Sequence, residues 1–209
     1  MKCGANLSFG KQHVKTVLYN MLCAANFISS ANVMHRDLKP ANILINRFCQ
    51  VKFCDFGLSR TLPESLADKQ KQSLSETSDA KRSVKKTRCL SSHISSRWFR
   101  SPEIILIEKE YDQGVDIWSL GCILYELLLF SLASTNPELV PTKVNALFPG
   151  DHCYPLTPKN PKKSNEDTKD QLRTILETLG PQNDLSFIES KAGQQFVEGI
   201  QKTLQSNTS

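Results

Sequence analysis

An apolar segment near the middle of the chain, residues 113–131, constrains the fold more than any other feature. Its hydrophobic residues recur at helical spacing but cover more than one face: Val115, Ile117, Leu120, Ile123, Leu124, Leu127 and Leu128. A helix that is apolar on most sides has to be surrounded by other elements, so the segment predicts a central core helix. The longest apolar run, residues 117–133, contains Glu126 and is shorter than a membrane span, which argues against a membrane helix.

Other segments also have helical periodicity. Residues 13–28 present one broad apolar face, residues 172–179 present a shorter one that Gly180 and Pro181 end, and residues 196–204 show a weaker pattern. The sequence therefore predicts a mainly α fold.

A small β-hairpin is predicted between the first helix and the central helix. Residues 42–45 and 50–54 are short apolar strands, and Asn46 and Arg47 between them suit a turn. The hairpin is expected to pack on the first helix. Asp55, Phe56 and Gly57 then break the strand pattern.

Two polar segments interrupt the periodic elements. Residues 61–92 carry Ser, Thr, Lys and Asp without periodicity, which predicts a flexible insertion. Residues 134–167 hold six of the ten prolines, together with Lys, Asn and Ser, which predicts a second insertion that is mainly loop.

Charge and cysteine content limit the class of protein. The net charge of +5 is too mild to predict a nucleic-acid binder, and much of the excess lies between Arg60 and Arg88, where a solvated basic loop explains it. The seven cysteines are irregularly spaced and include no Cys-x-x-Cys, which indicates free thiols in a reducing compartment. Because no signal segment is seen at the N-terminus, we expect a cytoplasmic protein, with the nucleus as an alternative.

Three short motifs concentrate the chemically active residues. They are His35-Arg36-Asp37-Leu38-Lys39-Pro40-Ala41-Asn42, Asp55-Phe56-Gly57 and Ser101-Pro102-Glu103. The first precedes the predicted hairpin and the second follows it, so the hairpin brings their polar groups to one end. A carboxylate, an ammonium group and hard oxygen ligands suit phosphoryl transfer, where catalysis is positioning plus charge neutralisation. The motif set resembles the signature of the protein kinases.

The resemblance implies a role for each polar residue near the hairpin. Asp37 would accept the proton of a substrate hydroxyl, and Lys39 would neutralise the moving phosphate and contact the nucleotide. Asn42 and Asp55 would hold Mg²⁺, and Leu44 would form the apolar floor beneath the adenine ring. The implied cofactors are therefore ATP and Mg²⁺.

Further residues are implied as structural support. His35 would pack under Phe56, as the corresponding imidazole does in kinases of this pattern. Asp116 would hold, from the central helix, the backbone of residues 35–42, which correspond to the catalytic loop of the kinases. Ser96 would hydrogen-bond the catalytic Asp and Lys. Glu103 would form a buried ion pair with an arginine of later helices, for which this sequence shows no candidate.

Several stretches narrow the resemblance to one branch. Residues 97–103, Arg-Trp-Phe-Arg-Ser-Pro-Glu, are close to the Arg-Trp-Tyr-Arg-Ala-Pro-Glu of the mitogen-activated and cyclin-dependent kinases, and residues 111–123, 147–150, 170–172 and 179–181 agree. The chain is most similar to the mitogen-activated kinases. This resemblance implies protein substrates in which proline follows the target Ser or Thr, and it allows an upstream activating kinase.

The resemblance also implies a regulatory site. Arg36 and Arg97 would meet a phosphate on the activation segment, and the corresponding phosphorylation positions are Ser91, Ser92 and His93. Because histidine replaces the usual tyrosine, a rule other than dual phosphorylation is expected.

The implied fold is the lower, C-terminal lobe of a protein kinase, with residues 1–209 forming a partial kinase domain. No Gly-x-Gly loop and no Val-Ala-x-Lys precede the catalytic loop in this sequence, so the N-terminal β-rich lobe is expected to be absent. Three functions stay open: a catalytic lobe, a truncated and catalytically silent kinase fragment that acts as a binding or decoy module, and a nucleic-acid binder. Neither a membrane contact nor an oligomeric state is predicted.

Overall fold

The fold was examined in a computed structural model. The structure describes residues 9–62, 97–108, 111–136, 138, 146–154, 156, 169–186 and 188–206. Within these ranges it is mainly helical with two short sheets, which confirms the predicted mainly α class.

The first helix, α1 (Lys11–Ser30), extends the predicted helix by two residues at each end. It begins after Gly10, whose N–H donates to Nδ1 of His13 at 3.2 Å and so satisfies one of the amides that a helix start leaves unpaired. The buried residues recur every three or four positions and form one apolar stripe: Val14, Val17, Met21 and Ala25.

The central helix spans Gly114–Thr135 and is α3 in chain order, after the short α2 (Pro102–Ile105). It packs against α1 and buries Leu120, Ile123 and Leu127 in the main core. Ile117 and Leu128 are more than half exposed, however. The prediction that α3 is buried on most sides is therefore only partly correct. The described elements cover one side of α3 and leave the other side exposed to solvent.

Helix α3 is also longer than the apolar run from which it was predicted. Within the described part of the chain it is the one helix whose length and composition would let it cross a membrane, with a mean hydropathy of 1.7 over its best window. The helix exceeds the apolar run of residues 117–133 because Gly114–Asp116 and Ser134–Thr135 extend it to 22 residues, which is long enough for a membrane span although the apolar run itself is shorter. Its packing on α1 is that of a core helix.

Two antiparallel two-stranded sheets lie between α1 and α2. Strand β2 (Ile43–Ile45) pairs with β3 (Val51–Phe53), with Leu44 opposite Lys52, and β3 packs on α1 as expected of the hairpin. Strand β1 (Val33–Met34) pairs with β4 (Arg60–Thr61). This second pairing brings the chain beyond the Asp-Phe-Gly motif back beside the catalytic loop.

Two helices complete the described structure. Helix α4 (Gln171–Leu179) is capped by Asp170, whose Oδ1 accepts from the backbone N–H of Leu172 at 3.0 Å, and it ends at Gly180 with φ 84°. Helix α5 (Lys191–Ser206) buries Val197. Both confirm helices predicted from periodicity.

The expected bounds of the two insertions differ from the structure at their edges. Thr61 belongs to β4, and residues 63–92 lie outside the described residues. Residues 134–135 are the last turn of α3, and the segment 146–154 packs into the core through Phe148 and Cys153. An apolar side chain can anchor a proline-rich stretch by burial, which composition alone does not show.

Gly150 shows how closely that segment packs. A Cβ atom at this position would lie 2.5 Å from Cα of Gln171, and Oε1 of Gln171 accepts from the Gly150 N–H at 3.0 Å. The backbone of residues 148–150 therefore approaches the start of α4 at a distance that only glycine permits.

Candidate active site

The catalytic loop is held from the central helix by one buried carboxylate. Oδ2 of Asp116 accepts from the backbone N–H of His35 at 2.7 Å, and Oδ1 accepts from that of Arg36 at 2.8 Å. These bonds hold Arg36 at φ 68°, a left-handed conformation that costs energy for a residue with a Cβ. Asp116 thus sets the backbone of the loop immediately before Asp37.

The structure brings Asp37, Lys39 and Asn42 together. Oδ2 of Asp37 accepts from Nζ of Lys39 at 2.7 Å and from Nδ2 of Asn42 at 3.2 Å, and Nδ2 also donates to the Asp37 carbonyl at 2.8 Å. No described residue donates to Oδ1 of Asp37. One carboxylate oxygen is therefore fixed by two donors, and the other is left to accept a proton or a hydrogen bond from a ligand.

His35 is fully buried and both of its ring nitrogens are engaged. Its Nδ1 accepts from the Asp37 N–H at 3.4 Å, and its Nε2 lies 3.0 Å from the Cys54 carbonyl. Since an amide can only donate and a carbonyl can only accept, this arrangement fits the imidazole tautomer with its proton on Nε2. The ring packs on Phe56 with centroids 4.6 Å apart, so His35 links the loop to the Asp-Phe-Gly motif.

The hairpin sets Asn42 and Asp55 at the same end. Asn42 precedes β2, and its carbonyl accepts from the Cys54 N–H at 2.9 Å, one residue before Asp55. Asp55 has φ 63° and its side chain is exposed, and no described residue donates a hydrogen bond to its carboxylate. A Cβ on Gly57 would lie 3.2 Å from Oδ1 of Asp55, so glycine leaves room for the carboxylate.

Leu44 occupies the middle of β2 and is 57% exposed. Its neighbours Ile43 and Ile45 are more buried and, by strand alternation, point to the opposite face. The Leu44 side chain is therefore available on the outer face of the hairpin.

Comparison with known proteins identifies the family. The model of the protein kinase domain matches residues 2–202. The chain belongs to the protein kinase family.

The curated relatives are mitogen-activated protein kinases. The chain is 36% identical over 191 residues to mitogen-activated protein kinase MKC1 of Candida albicans. The aligned residues make up 90% of this chain and 29% of that protein. The chain is 33% identical to mitogen-activated protein kinase 1 of Oryza sativa subsp. japonica, covering 90% and 35%, and 35% identical to mitogen-activated protein kinase HOG1 of Wallemia muriae, covering 92% and 51%. The chain thus spans about a third to a half of the length of these relatives. By family it is classed with the serine/threonine protein kinases.

Arg36, the residue before Asp37, is half-buried. Nη1 of Arg36 donates to the Leu58 carbonyl at 3.2 Å, and its guanidinium lies 5.6 Å from the Tyr111 ring centroid. Burial lowers the pKa of Arg36, and the charge of Arg60 adds to this effect, whereas Tyr111 and the Asp116 carboxylate act in the opposite direction. Its Nε is buried and has no partner among the described residues. Arg36 therefore keeps one unused buried donor, which an anion could accept from.

The structure gives less support to the other residues that were predicted from the sequence. Burial raises the pKa of Cys153 and the charge of Arg97 lowers it, so Arg97 lies near Cys153; no hydrogen bond joins Arg97 to Arg36 within the described residues. Glu103 is half-buried in α2, and its carboxylate has no hydrogen bond or ion pair within the described ranges. Ser91, Ser92 and Ser96 lie outside the described residues.

Three contacts were not predicted from the sequence. Tyr111 contacts Arg36, Ser119 donates to the Phe99 carbonyl at 2.8 Å, and Nε1 of Trp98 donates to the Gly150 carbonyl at 2.9 Å. The only sequence signal for Ser119 is a small polar residue in an otherwise apolar helix, which indicates a buried polar contact. No comparable signal exists for Tyr111 or Trp98.

The oxygen ligands of Asn42 and Asp55 suit Mg²⁺ better than a metal ion that is coordinated by protein side chains only. Among the described residues, no three His, Cys, Asp or Glu side chains are placed to hold a metal ion. Mg²⁺ characteristically takes one or two protein oxygens and completes its shell with water and phosphate. The amide oxygen of Asn42 and the exposed carboxylate of Asp55 match that pattern.

Proposed function

We propose that this chain carries the catalytic machinery of a serine/threonine protein kinase, which transfers the γ-phosphate of ATP to a protein hydroxyl. The observation that carries the proposal is the state of Asp37. Its Oδ2 is held by Lys39 and Asn42, and its Oδ1 accepts nothing from the described residues. A carboxylate oriented in this way can take a hydroxyl proton at one defined atom.

Each residue then has one task. Asp37 accepts the substrate hydroxyl proton at Oδ1, and Lys39, at 2.7 Å from Oδ2, supplies positive charge where negative charge develops. Asn42 and Asp55 would hold Mg²⁺ at the end of the hairpin, and Leu44 would contact the adenine. When bound, ATP would supply the phosphoryl group and Mg²⁺ would neutralise its charge. Asp116 and His35 hold the loop and make no contact with substrate.

The finer assignments are part of this proposal. The chain forms the lower lobe of a mitogen-activated-type kinase, acts in the cytoplasm or nucleus, and phosphorylates Ser/Thr-Pro sites. It acts without a membrane or a nucleic acid. Arg36 and Arg97 receive a phosphate that an upstream kinase places on Ser91 or Ser92. The unused buried Nε of Arg36 supports the anion-binding part.

The test is a phosphotransfer assay of the 209-residue chain with Mg²⁺ and radiolabelled ATP. Peptides that differ only in Ser-Pro or Ser-Ala serve as substrates. We expect Asp37→Asn to lower the rate by about 10²–10⁴-fold, because it removes the proton acceptor and keeps the side-chain shape. Glu198→Gln, an exposed change on α5, is the control and should leave the rate unchanged.

Each result has a defined meaning. A wild-type rate that Asp37→Asn leaves intact would contradict the role of Asp37. Equal rates on Ser-Pro and Ser-Ala peptides would contradict the proline preference and leave the role of Asp37 intact. If the wild-type chain has no activity, the catalytic proposal fails for this chain, and the alternative, a binding or decoy module built on a kinase fragment, takes its place.

A further inference from the structure

A cavity of about 280 Å³ lies beside the catalytic loop, between α1, β2 and α3. It is close in size to the smallest pockets that bind small organic molecules, which begin near about 300 Å³. None of the proposed phosphotransfer residues lines it. The cavity is therefore separate from the site described above, although Pro40, which follows Lys39, forms part of its wall.

The walls are apolar on three sides. Met21 comes from α1, Ile43 and Ile45 come from β2, and Leu127 and Phe130 come from α3. Met21 and Leu127 are buried core residues, so this part of the wall is firmly packed. Such a lining favours the hydrocarbon or aromatic part of a ligand.

Glu126 supplies the only ionisable side chain among the lining residues. It is half-buried, and its carboxylate makes no hydrogen bond or ion pair within the described part of the chain. Burial raises the pKa of Glu126, because the apolar surroundings disfavour its charge, and the positive charge of the N-terminal amine acts in the opposite direction. A positive charge in the cavity would offset this cost, whereas an anion would increase it.

We propose that this cavity binds a small amphipathic cation, with its apolar body between Ile45 and Phe130 and its protonated amine paired with Glu126. The pairing sets the orientation, and the apolar walls supply the contact area. The site does not depend on phosphotransfer, because no residue of the proposed catalytic set lines it.

The test uses three probes of nearly equal shape: 4-phenylbutylamine, 4-phenylbutanol and 4-phenylbutyrate. Their binding to the 209-residue chain is measured by isothermal titration calorimetry at neutral pH. We expect the amine to bind most tightly, the alcohol about tenfold more weakly and the acid most weakly, since a charge-assisted hydrogen bond is worth about one tenfold step or more. Saturable binding in this order on the wild-type chain supports the proposal without any variant.

Glu126→Gln then separates the charge from the cavity. We expect the amine to fall to the affinity of the alcohol, and the alcohol to change little, because the apolar walls remain. Glu198→Gln, on the exposed face of α5, is the matched control and should leave all three affinities unchanged. Asp37→Asn should also leave them unchanged, which distinguishes failure here from failure of the kinase proposal.

Three results would overturn the proposal. These are no saturable binding of the amine, equal affinities for the three probes, or an amine affinity that Glu126→Gln leaves intact. If Glu126→Gln does not fold, the order of the three probes on the wild-type chain decides.

Discussion

Two buried carboxylates, Asp116 and Glu108, each join chain segments 81 residues apart. They differ in how many of their oxygens accept a hydrogen bond. Asp116 uses both oxygens to accept backbone N–H groups of the catalytic loop at 2.7 and 2.8 Å. Glu108 uses Oε2 to accept from the Glu189 N–H at 3.2 Å, just before α5, and its buried Oε1 has no partner among the described residues. Both side chains are at least 94% buried.

The backbone near Glu108 is also strained. Ile107 has φ 59°, a conformation that is unusual for a β-branched residue. Both regions carry a residue at positive φ, Arg36 in the catalytic loop and Ile107 beside Glu108, but the loop is held by a fully satisfied buried carboxylate, whereas the junction between α2 and α5 keeps an unsatisfied oxygen. The difference should be visible in the free energy of unfolding.

The largest effect should come from removing the loop anchor. Asp116→Ala leaves two buried N–H groups unpaired and should lower the free energy of unfolding by about 3–5 kcal/mol, from two hydrogen bonds to a charged acceptor. Urea denaturation followed by circular dichroism measures this. A loss below about 1 kcal/mol would mean that the loop backbone is held by other groups.

A close backbone contact gives the next largest effect. Gly150→Ala would push a Cβ into Gln171 and should cost about 1–3 kcal/mol, because the obstacle includes backbone atoms that cannot move aside cheaply. Gly199→Ala in α5 is the matched control, since its Cβ would meet nothing within 4 Å. The control should raise stability by about 0.5–1 kcal/mol through helix propensity. Equal effects of the two changes would refute the close approach.

The second carboxylate should matter less than the first. Glu108→Ala removes one hydrogen bond but also an unsatisfied buried oxygen, so we expect a loss of about 1–2 kcal/mol. The same urea titration gives the value beside Asp116→Ala. If Glu108→Ala cost as much as Asp116→Ala, the unsatisfied Oε1 of Glu108 would have no effect on stability.

Relief of strain should give the smallest effect, with the opposite sign. Ile107→Gly should raise the melting temperature, with a gain of about 1 kcal/mol, because glycine accepts a positive φ and Ile107 is largely exposed. Ile117→Gly is the control: this residue is equally exposed but lies in α3, so glycine should lower stability by about 0.5–1 kcal/mol. Two changes of the same sign would exclude strain at Ile107.

The helices and the central hairpin were predictable from local pattern. Apolar residues at spacings of three and four placed α1, α4 and α5, and two short apolar runs around Asn46 placed β2 and β3. The pairing of β1 with β4 was not predicted, because two residues per strand give no period. The motif spacing similarly selected Asp37, Lys39 and Asn42, which the structure brings together.

The sequence by itself determined the mainly helical class, the hairpin and the polar residues grouped at its end, since each depends on neighbours within a few positions. Only the tertiary structure decided that Phe148 and Cys153 enter the core, that Tyr111 contacts Arg36, and that a cavity beside the loop contains Glu126. These contacts join residues far apart along the chain. The free energy that stabilises these contacts comes from burial and charge in the folded molecule, so the spacing of residues along the chain does not predict them.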